Sequence, residues 1–170
     1  MGIVSFFKEA GEKLFGGKDA EAAAAAAAQA PSQAELQERS RQANSAAAAA
    51  IEKYIAAQNL SADGLRVEFD GASSKVTVAG VAADQATKEK ILLCCGNVQG
   101  VASVADMMTV AQPADESQYH TVVKGDTLSA IAKKFYGNAN LYPKIFEANK
   151  PMLSHPDKIY PGQLLRIPKN

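Results

Sequence analysis

The spacing of apolar and polar side chains predicts an amphipathic helix at the start of the chain. Within residues 2–15 the apolar side chains recur every three or four positions, as on one face of a helix, and Gly16-Gly17 ends the pattern. This stripe consists of Ile3, Phe7, Ala10 and Leu14. Gly11 either ends the helix locally, which would free the carbonyl groups of Phe7 to Ala10, or is tolerated inside it.

An alanine-rich tract separates this element from the rest of the chain. We assign residues 1–17 to the N-terminal helix and residues 18–45 to a linker, because alanine favours helix but buries almost no apolar area. Ser32 and Glu35 have the spacing of a capping box, and they predict a new helix that runs to about Asn59.

Residues 46–112 have the pattern of a compact unit in the order helix, strand, strand, helix, strand. Period-two alternation predicts a hairpin around a turn at 70–74, with its second strand ending at Gly80. Asp84 is predicted to cap the second helix, and residues 101–110 to form the third strand. The alternating apolar positions are Leu65, Val67, Phe69, Val76 and Val78, and the inner face of the second helix is predicted to comprise Thr87, Ile91, Cys94 and Cys95.

The stretch ILLCCGNVQGV, residues 91–101, is the point around which we expect the chain to be organised. It is interpreted as a helix end, a tight turn and the start of a strand, with Gly96 as the left-handed residue that stops the helix. The last carbonyl groups of a helix lack partners, and the helix dipole adds partial negative charge there. Such a turn could present neutral oxygen atoms to a large cation, although an ordinary helix-to-strand turn has the same pattern.

A polar linker at 113–118 leads to a second module at 119–168. Its predicted elements are a strand at 119–123, a helix capped by Asp126 and stopped by Gly137, a helix at 141–149, a turn at Pro161-Gly162 and a strand at 164–167. The predicted fold class of the whole chain is therefore α+β, with an N-terminal helix followed by two small domains.

Charge and composition narrow the classes of function. The chain has 18 basic and 18 acidic residues among 170, so no global field favours nucleic acid or an acidic membrane. No apolar run approaches a membrane span, and the N-terminus lacks the basic opening and long apolar core of a secretory signal. We therefore expect a cytoplasmic monomer that binds neither nucleic acid nor membrane.

The side chains offer little for catalysis or for a zinc-type site. Cys94 and Cys95 are neighbours without a CxxC spacing or a histidine cluster, and we interpret them as buried apolar thiols rather than as a redox switch. His120 and His155 have no nucleophile or acid partner at suggestive spacing and are interpreted as surface residues. We expect that the chain is not an enzyme.

The first of the two modules resembles the BON domain, a small αββαβ module of bacterial proteins. The residues that carry this resemblance are V-T-V-A-G at 76–80, the capped helix from Asp84, and the turn at 96–100 followed by V-A-S-V. These marks are short, and it is their order and spacing that match the family.

The second module resembles the LysM domain, which has a βααβ fold. The matching segments are V-K-G-D-T-L-S-A-I-A at 123–132, Tyr136-Gly137, I-x-x-A-N at 145–149 and I-Y-P-G-Q-L-L-R-I-P at 159–168. In that family a groove between two loops receives N-acetylglucosamine polymers, and the resemblance places it at Gly125, Asp126, Thr127, Leu128, Ile159, Tyr160, Pro161 and Gly162. Each has a structural explanation as well, since Asp126 is a predicted cap, Gly162 a turn residue and Leu128 a core residue.

A BON domain followed by a LysM domain, behind a short amphipathic N-terminus, resembles the bacterial potassium-binding protein family. The N-terminal V-S-F-F-K-E-A-G-E-K-L-F, K-E-K-I-L at 88–92 and G-N-V-Q-G at 96–100 fit it. The resemblance implies a K⁺ sensor of ion homeostasis and stress response, in which the BON domain and the N-terminal segment respond to the ion and the LysM domain supports the bound form. The alanine-rich insertion is longer than that family leads us to expect.

The ion ligands implied by this resemblance and by helix-end geometry are the main-chain carbonyl groups of Phe7, Ala10, Gly96, Val98 and Val101. Several neutral oxygens acting together select K⁺, whereas Mg²⁺ and Ca²⁺ prefer carboxylates or water. Because these oxygens belong to separate segments, the ion would draw the segments together into a compact form. The alternative is a protein that binds peptidoglycan or N-acetylglucosamine polymers through the LysM groove.

Overall fold

Two layers of helix and sheet make up the first domain, and a smaller helix–strand unit follows it. The computed structural model describes residues 3–5 and 32–169. The elements in chain order are β1 (Ile3–Ser5), α1 (Gln33–Ala57), β2 (Asp63–Asp70), β3 (Lys75–Asp84), α2 (Gln85–Gly96), β4 (Ser103–Gln112), β5 (Gln118–Thr121), α3 (Leu128–Tyr136), a 3₁₀ turn (Ala139–Leu141), α4 (Tyr142–Ala148) and β6 (Leu164–Ile167). The α+β class predicted from the sequence is confirmed.

The first domain is a four-stranded sheet in the order β1-β4-β3-β2, covered by α1 and α2. β2 and β3 form an antiparallel hairpin, and β3 pairs in parallel with β4, with Val76 opposite Val104. Parallel neighbours need a crossover, and α2 supplies it. The core between sheet and helices includes Ile51, Ile55 and Ile91, each fully buried.

The second domain pairs β5 with β6 in an antiparallel ribbon against α3 and α4. Its core is smaller and contains Ile131, Ile145 and Leu165. α3 ends where Gly137 adopts a left-handed conformation with φ 72°, as the sequence predicts. Among the helices of the described ranges, none is long and apolar enough to cross a membrane.

Local capping signals were largely sufficient to place the helix starts. Ser32 and Glu35 form the predicted capping box at the start of α1, and the Asp84 side chain accepts a hydrogen bond from the Thr87 N–H at the start of α2. The prediction that Asp126 caps α3 is wrong. The cap is its neighbour Thr127, whose hydroxyl accepts from the Ala130 N–H.

Two other predictions are corrected by the structure. Ile3–Ser5 form a strand rather than the start of a helix, because their backbone pairs with β4. The rest of the predicted helix, and the alanine tract up to residue 31, lie outside the described residues. β3 does not end at Gly80 but continues to Asp84, since it stays paired with the full length of β4.

Helix α2 is buried on more sides than the one apolar face that the sequence predicts. Every residue from Ile91 to Gly96 is buried, and the helix contacts β3 and β4 on one side and β6 of the second domain on the other. The second half of α2, residues 91–96, is apolar on all sides, which is typical of a helix segment between two layers. α2 therefore joins the two domains, and the loop that follows it lies at their contact.

Candidate ion loop and the contact between the domains

The loop from Gly96 to Ala102, called the ion loop below because it contains three of the predicted ion ligands, connects the buried helix α2 to β4. α2 runs through Gly96 and ends at Asn97, whose φ and ψ of −87° and 0° are right-handed, so the prediction that Gly96 is left-handed is wrong. The left-handed residue is Gly100, with φ 104°. The Val101 N–H donates to the Val98 carbonyl at 3.2 Å and closes a tight turn that needs glycine at this point.

The structure brings three of the five predicted carbonyl ligands into this loop: Gly96, Val98 and Val101. All three residues are buried, with Val98 2% and Val101 0% exposed. The Val98 carbonyl already accepts from Val101, and no backbone N–H of the described residues donates to the carbonyl oxygen of Gly96 or Val101. Buried carbonyl groups need a partner, so this loop has oxygen atoms with capacity to bind a ligand or another chain segment.

The other two predicted ligands, Phe7 and Ala10, lie outside the described residues. The strand that precedes them, β1, is described, and its backbone runs antiparallel to β4 with Ser5 opposite Ser103. Phe7 is two residues beyond Ser5, and Val101 is two residues before Ser103. The register therefore places Ser5, the last residue of β1, beside Ser103, the residue that directly follows the ion loop.

The donor types near the loop suit a neutral oxygen site. In the part of the chain that the structure describes, no three His, Cys, Asp or Glu side chains group in a way that could hold a metal ion. Carboxylate-rich sites for Ca²⁺ and thiolate or imidazole sites for Zn²⁺ are therefore not formed by the described residues.

Asn97 connects the ion loop to the second domain. Its side-chain amide donates to the Leu164 carbonyl at 3.2 Å, and its Oδ1 accepts from the Leu164 N–H at 3.0 Å. Both groups of the Leu164 backbone in β6 are thus satisfied by one side chain of the first domain. No sequence signal distinguishes Asn97, because asparagine in a Gly-rich turn is also typical of ordinary loops.

A buried ionic cluster forms the second link between the domains. The Arg166 Nε of β6 donates to Glu89 Oε2 of α2, and their side chains are only 10% and 3% exposed. Glu89 Oε1 accepts from Gln85 Nε2 at 2.9 Å and from the Ser117 N–H at 2.8 Å. Charged residues inside apolar segments, as in K-E-K-I-L and L-L-R-I, were the sequence signal for this cluster.

The cluster keeps the Glu89 carboxylate ionised. Burial raises the pKa of Glu89, but the hydrogen bonds from Gln85, Arg166 and Ser117 together outweigh burial and leave the pKa below its usual value. Lys88 makes a separate, partly buried contact, since its Nζ lies 2.8 Å from Asp106 Oδ2 and donates to the Met108 carbonyl at 3.0 Å. Charged side chains of α2 therefore contact both β6 of the second domain and β4 of the first domain.

The two thiols of α2 are buried and inert. Cys94 and Cys95 are both free and 0% exposed, and burial raises the pKa of the Cys94 thiol to about 12. Burial, together with the adjacent thiol, also raises the pKa of Cys95 far above its usual range.

We therefore expect the native thiols to react with iodoacetamide at pH 8 at least about a hundredfold more slowly than a free cysteine, because little thiolate is present. Mass spectrometry of the labelled chain measures this, with the chain in 8 M urea as the control that should label rapidly. Native labelling at the rate of the unfolded chain would show that α2 is not enclosed as described.

Some residues of the predicted glycan groove are exposed, some are buried in the core, and some form hydrogen bonds. Gly125, Thr127 and Pro161 are exposed, whereas Leu128 is 3% exposed and belongs to the core. Ile159 packs against that core, and the Gly162 N–H donates to the Val122 carbonyl at 2.8 Å, which joins the two loops. This hydrogen bond holds the two loops next to each other, and glycan binding between them stays a prediction.

Two further groove residues face other partners. Asp126 Oδ2 lies 2.7 Å from His120 Nε2 and accepts from the Val123 N–H at 3.0 Å. Tyr160 lines an interdomain cleft of about 310 Å³ together with Tyr54 and Asn97 of the first domain. The interpretation of His120 as a surface residue is wrong, since its side chain is 13% exposed, whereas His155 is 56% exposed.

Comparison with known proteins supports both domains. Residues 43–112 match the BON domain, and residues 120–168 match the LysM domain. The potassium binding protein Kbp of Escherichia coli O6:H1 is 60% identical over 107 residues, which cover 63% of this chain and 72% of that protein. The chain belongs to the Kbp family.

More distant relatives of this Kbp-family chain match over shorter segments. An uncharacterized protein of Deinococcus radiodurans is 43% identical over 82 residues, which are 42% of this chain and 32% of that protein. An esterase of Mycobacterium tuberculosis is 52% identical over 48 residues, 28% of this chain but only 10% of the esterase. A match of that extent carries no argument about esterase activity.

Proposed function

We propose that this chain binds K⁺ through main-chain carbonyl groups and acts as a cytoplasmic K⁺ sensor that becomes compact when the ion is bound. The proposed ligands are the carbonyl groups of Gly96, Val98 and Val101 in the ion loop and of Phe7 and Ala10 in the N-terminal segment. Membership of the Kbp family supports the choice of ion, because the relative with 60% identity is a potassium binding protein by name.

The observation that carries this proposal is the pairing of β1 with β4. The antiparallel register, with Ser5 opposite Ser103, leads the chain from β1 towards the ion loop. Phe7 is two residues from Ser5, a reach of at most about 7 Å. Two segments that are distant in sequence can therefore contribute oxygen atoms to one site.

The chemistry of the loop agrees with the ion. K⁺ is a large cation that is selected by several neutral carbonyl oxygens acting together, as in channel filters. The Gly96 and Val101 carbonyl groups accept no hydrogen bond from a backbone N–H of the described residues, and both residues are buried. A buried carbonyl group that gains a cation recovers the free energy it lost with its hydration.

Compaction follows from the separate origin of the ligands. An ion that needs both the N-terminal segment and the ion loop binds the closed arrangement and not the open one, so it shifts the population to the closed state. The LysM domain contacts the same region through β6, and we propose that it stabilises the bound form.

Thermal unfolding in KCl, NaCl and choline chloride at matched ionic strength tests the proposal. K⁺ at a hundred times its dissociation constant stabilises the native state by about 2.7 kcal/mol. For a chain of this size that is a rise in melting temperature of roughly 5–10 °C, which NaCl and choline chloride should not give. Small-angle scattering should show a smaller radius of gyration in KCl.

Two variants, the second with a matched control, test where the ion binds. Deletion of residues 1–15 is expected to abolish the increment that K⁺ adds. Gly100→Ala forces a side chain into the φ of 104° and displaces the turn, so it should lower both the basal melting temperature and the K⁺ increment. Gly125→Ala introduces similar backbone strain at φ 93°, with open space around the new methyl group, and should leave the K⁺ increment unchanged.

Equal melting temperatures in the three salts would contradict the proposal. The glycan alternative would then be examined next, by titration with chitooligosaccharides. A K⁺ increment that survives in both the deletion and Gly100→Ala would leave K⁺ binding in place but move it away from the ion loop.

A further inference from the structure

One edge of strand β6 is completed by side chains instead of by another strand. β6 pairs with β5 through Leu165 and Ile167, so the backbone groups of the alternate residues point to the other edge. There the Arg166 N–H donates to Asn149 Oδ1, and Asn149 Nδ2 donates to the Arg166 carbonyl, both at 2.8 Å. Asn97 does the same for Leu164.

The two asparagine side chains differ in origin. Asn149 ends helix α4 and belongs to the second domain itself, so it completes the edge within one domain. Asn97 belongs to the first domain and lies between Gly96 and Val98, two of the proposed ion ligands. An asparagine side-chain amide presents an N–H donor and a C=O acceptor side by side, so it bonds the C=O and N–H of one β6 residue as a neighbouring strand would.

We propose that Asn97 is the positioning residue that couples ion binding in the loop to docking of the second domain on the first. This inference rests on the proposed K⁺ site and adds the residue through which the two domains communicate. Asn97 itself does not need to touch the ion. It acts through the Leu164 backbone on one side and through its own peptide groups on the other.

The coupling has a simple geometric basis. The Gly96 carbonyl lies in the planar peptide group that ends at the Asn97 Cα, so the position of Asn97 restricts the direction of that carbonyl. The Asn97 N–H donates to the Leu93 carbonyl at 3.1 Å, and its side chain is held to Leu164. Docking of β6 therefore preorganises a proposed ligand, and an ion that holds the ligand favours docking to the same degree.

Amide hydrogen exchange measured by NMR on the full chain tests this proposal. The reporter of docking is the Ser117 N–H, which donates to Glu89 Oε1 and does not touch Asn97. The reporter of the loop is the Val101 N–H, which donates to the Val98 carbonyl. Each exchange rate is measured in KCl and in NaCl at equal ionic strength. The readout is the rate in NaCl divided by the rate in KCl.

In the wild-type chain, saturating K⁺ is expected to slow exchange at both Ser117 and Val101 by about tenfold or more. In Asn97→Ala the ratio at Val101 should remain well above one, whereas the ratio at Ser117 should fall close to one. A purely structural loss would raise the exchange rates in both salts and leave their ratios unchanged. Alanine is compatible with the right-handed backbone at this position, so the loop is expected to fold.

A matched control is Asn44→Ala. Asn44 Oδ1 accepts from the Gly71 N–H at 3.1 Å, which is also a contact from an asparagine side chain to a backbone group, but far from the loop in sequence. Its K⁺ ratio at Ser117 should equal that of the wild type. If Asn97→Ala does not fold, Asn97→Asp keeps the acceptor for the Leu164 N–H and loses the donor, and it should reduce the ratio at Ser117 in part.

The outcomes separate this inference from the proposed function. No difference between KCl and NaCl at either reporter of the wild-type chain would contradict K⁺ binding itself. A K⁺ effect at both reporters that persists undiminished in Asn97→Ala and in Asn97→Asp would overturn the role of Asn97 while leaving the ion site intact.

Discussion

Replacement of Arg166 by methionine is expected to destabilise the chain by about 3–5 kcal/mol, because it leaves the Glu89 carboxylate buried without its charged partner. The two side chains are 10% and 3% exposed, so water cannot replace the lost contact without opening the domain interface. Urea unfolding monitored by circular dichroism gives the free energy of unfolding of both chains.

The double variant Glu89→Gln/Arg166→Met is the matched control. Glutamine keeps an oxygen for the Gln85 and Ser117 donors but carries no charge, so we expect most of the lost stability to return. A double variant as unstable as Arg166→Met alone would show that the arginine acts through packing of its aliphatic stem and not through its charge.

The pH dependence of stability offers a second check on the same cluster. The folded state lowers the pKa of Glu89, so its contribution is present above the unfolded pKa of about 4.3 and is lost as the pH falls through the lower folded value. Other carboxyl groups with lowered pKa values, including Asp84 and Asp126, contribute to the wild-type curve. The difference between wild type and Glu89→Gln should therefore narrow below pH 4.

Replacement of Ile91 by alanine is the second substitution for which we expect a large loss, about 2–5 kcal/mol. Ile91 is 0% exposed and lies in α2 within the core of the first domain, where the enclosing layers prevent the cavity from collapsing. The measurement is again urea unfolding, with the ion concentration held constant because bound K⁺ would itself shift the curve.

Leu36→Ala is the control for this substitution. Leu36 also lies in a helix, near the start of α1, but is 51% exposed. Leucine and alanine are both good helix formers, so the substitution should not disturb the helix itself. Its effect should stay within about 0.5 kcal/mol. If Leu36→Ala cost as much as Ile91→Ala, the enclosure of α2 would not be the source of the effect.

Local sequence signals predicted the elements well, and the misses have non-local causes. Ser32, Asp84 and Gly137 act on their own helix ends, so their roles followed from spacing alone. Thr127 and Asp126 are both good caps, and Asp126 is instead held by the His120 side chain and the Val123 N–H. Tertiary contacts decided between neighbours that local propensity could not separate.

The N-terminal strand and the end of α2 illustrate the same limit. Ile3–Ser5 fit a helical stripe, but pairing with β4 determines their conformation, and no spacing within fifteen residues reports a partner a hundred residues away. Gly96 and Gly100 are equally suited to a left-handed backbone, and the structure uses only Gly100.

The candidate ion site was hard to predict for a chemical reason. Every residue except proline carries the same main-chain carbonyl and N–H groups, so a site built from carbonyl groups has almost no side-chain signature. The family resemblance supplied Gly96, Val98 and Val101, and the structure places them in one loop. The role of Asn97 depends on the contact between the domains, and the apolar neighbours of Glu89 and Arg166 in the sequence indicate that the two are buried but not that they pair with each other.

The two asparagine side chains that complete the edge of β6 also affect whether the chain self-associates when the domains separate. A free strand edge can recruit a strand from another molecule, and natural proteins protect such edges. When the first domain withdraws, Asn97 leaves Leu164 exposed, but Asn149 stays on Arg166 because both belong to the second domain. The uncovered edge is then a single residue long. A single residue is too short a template for strand addition, so in the open form that we propose this edge of β6 would stay protected.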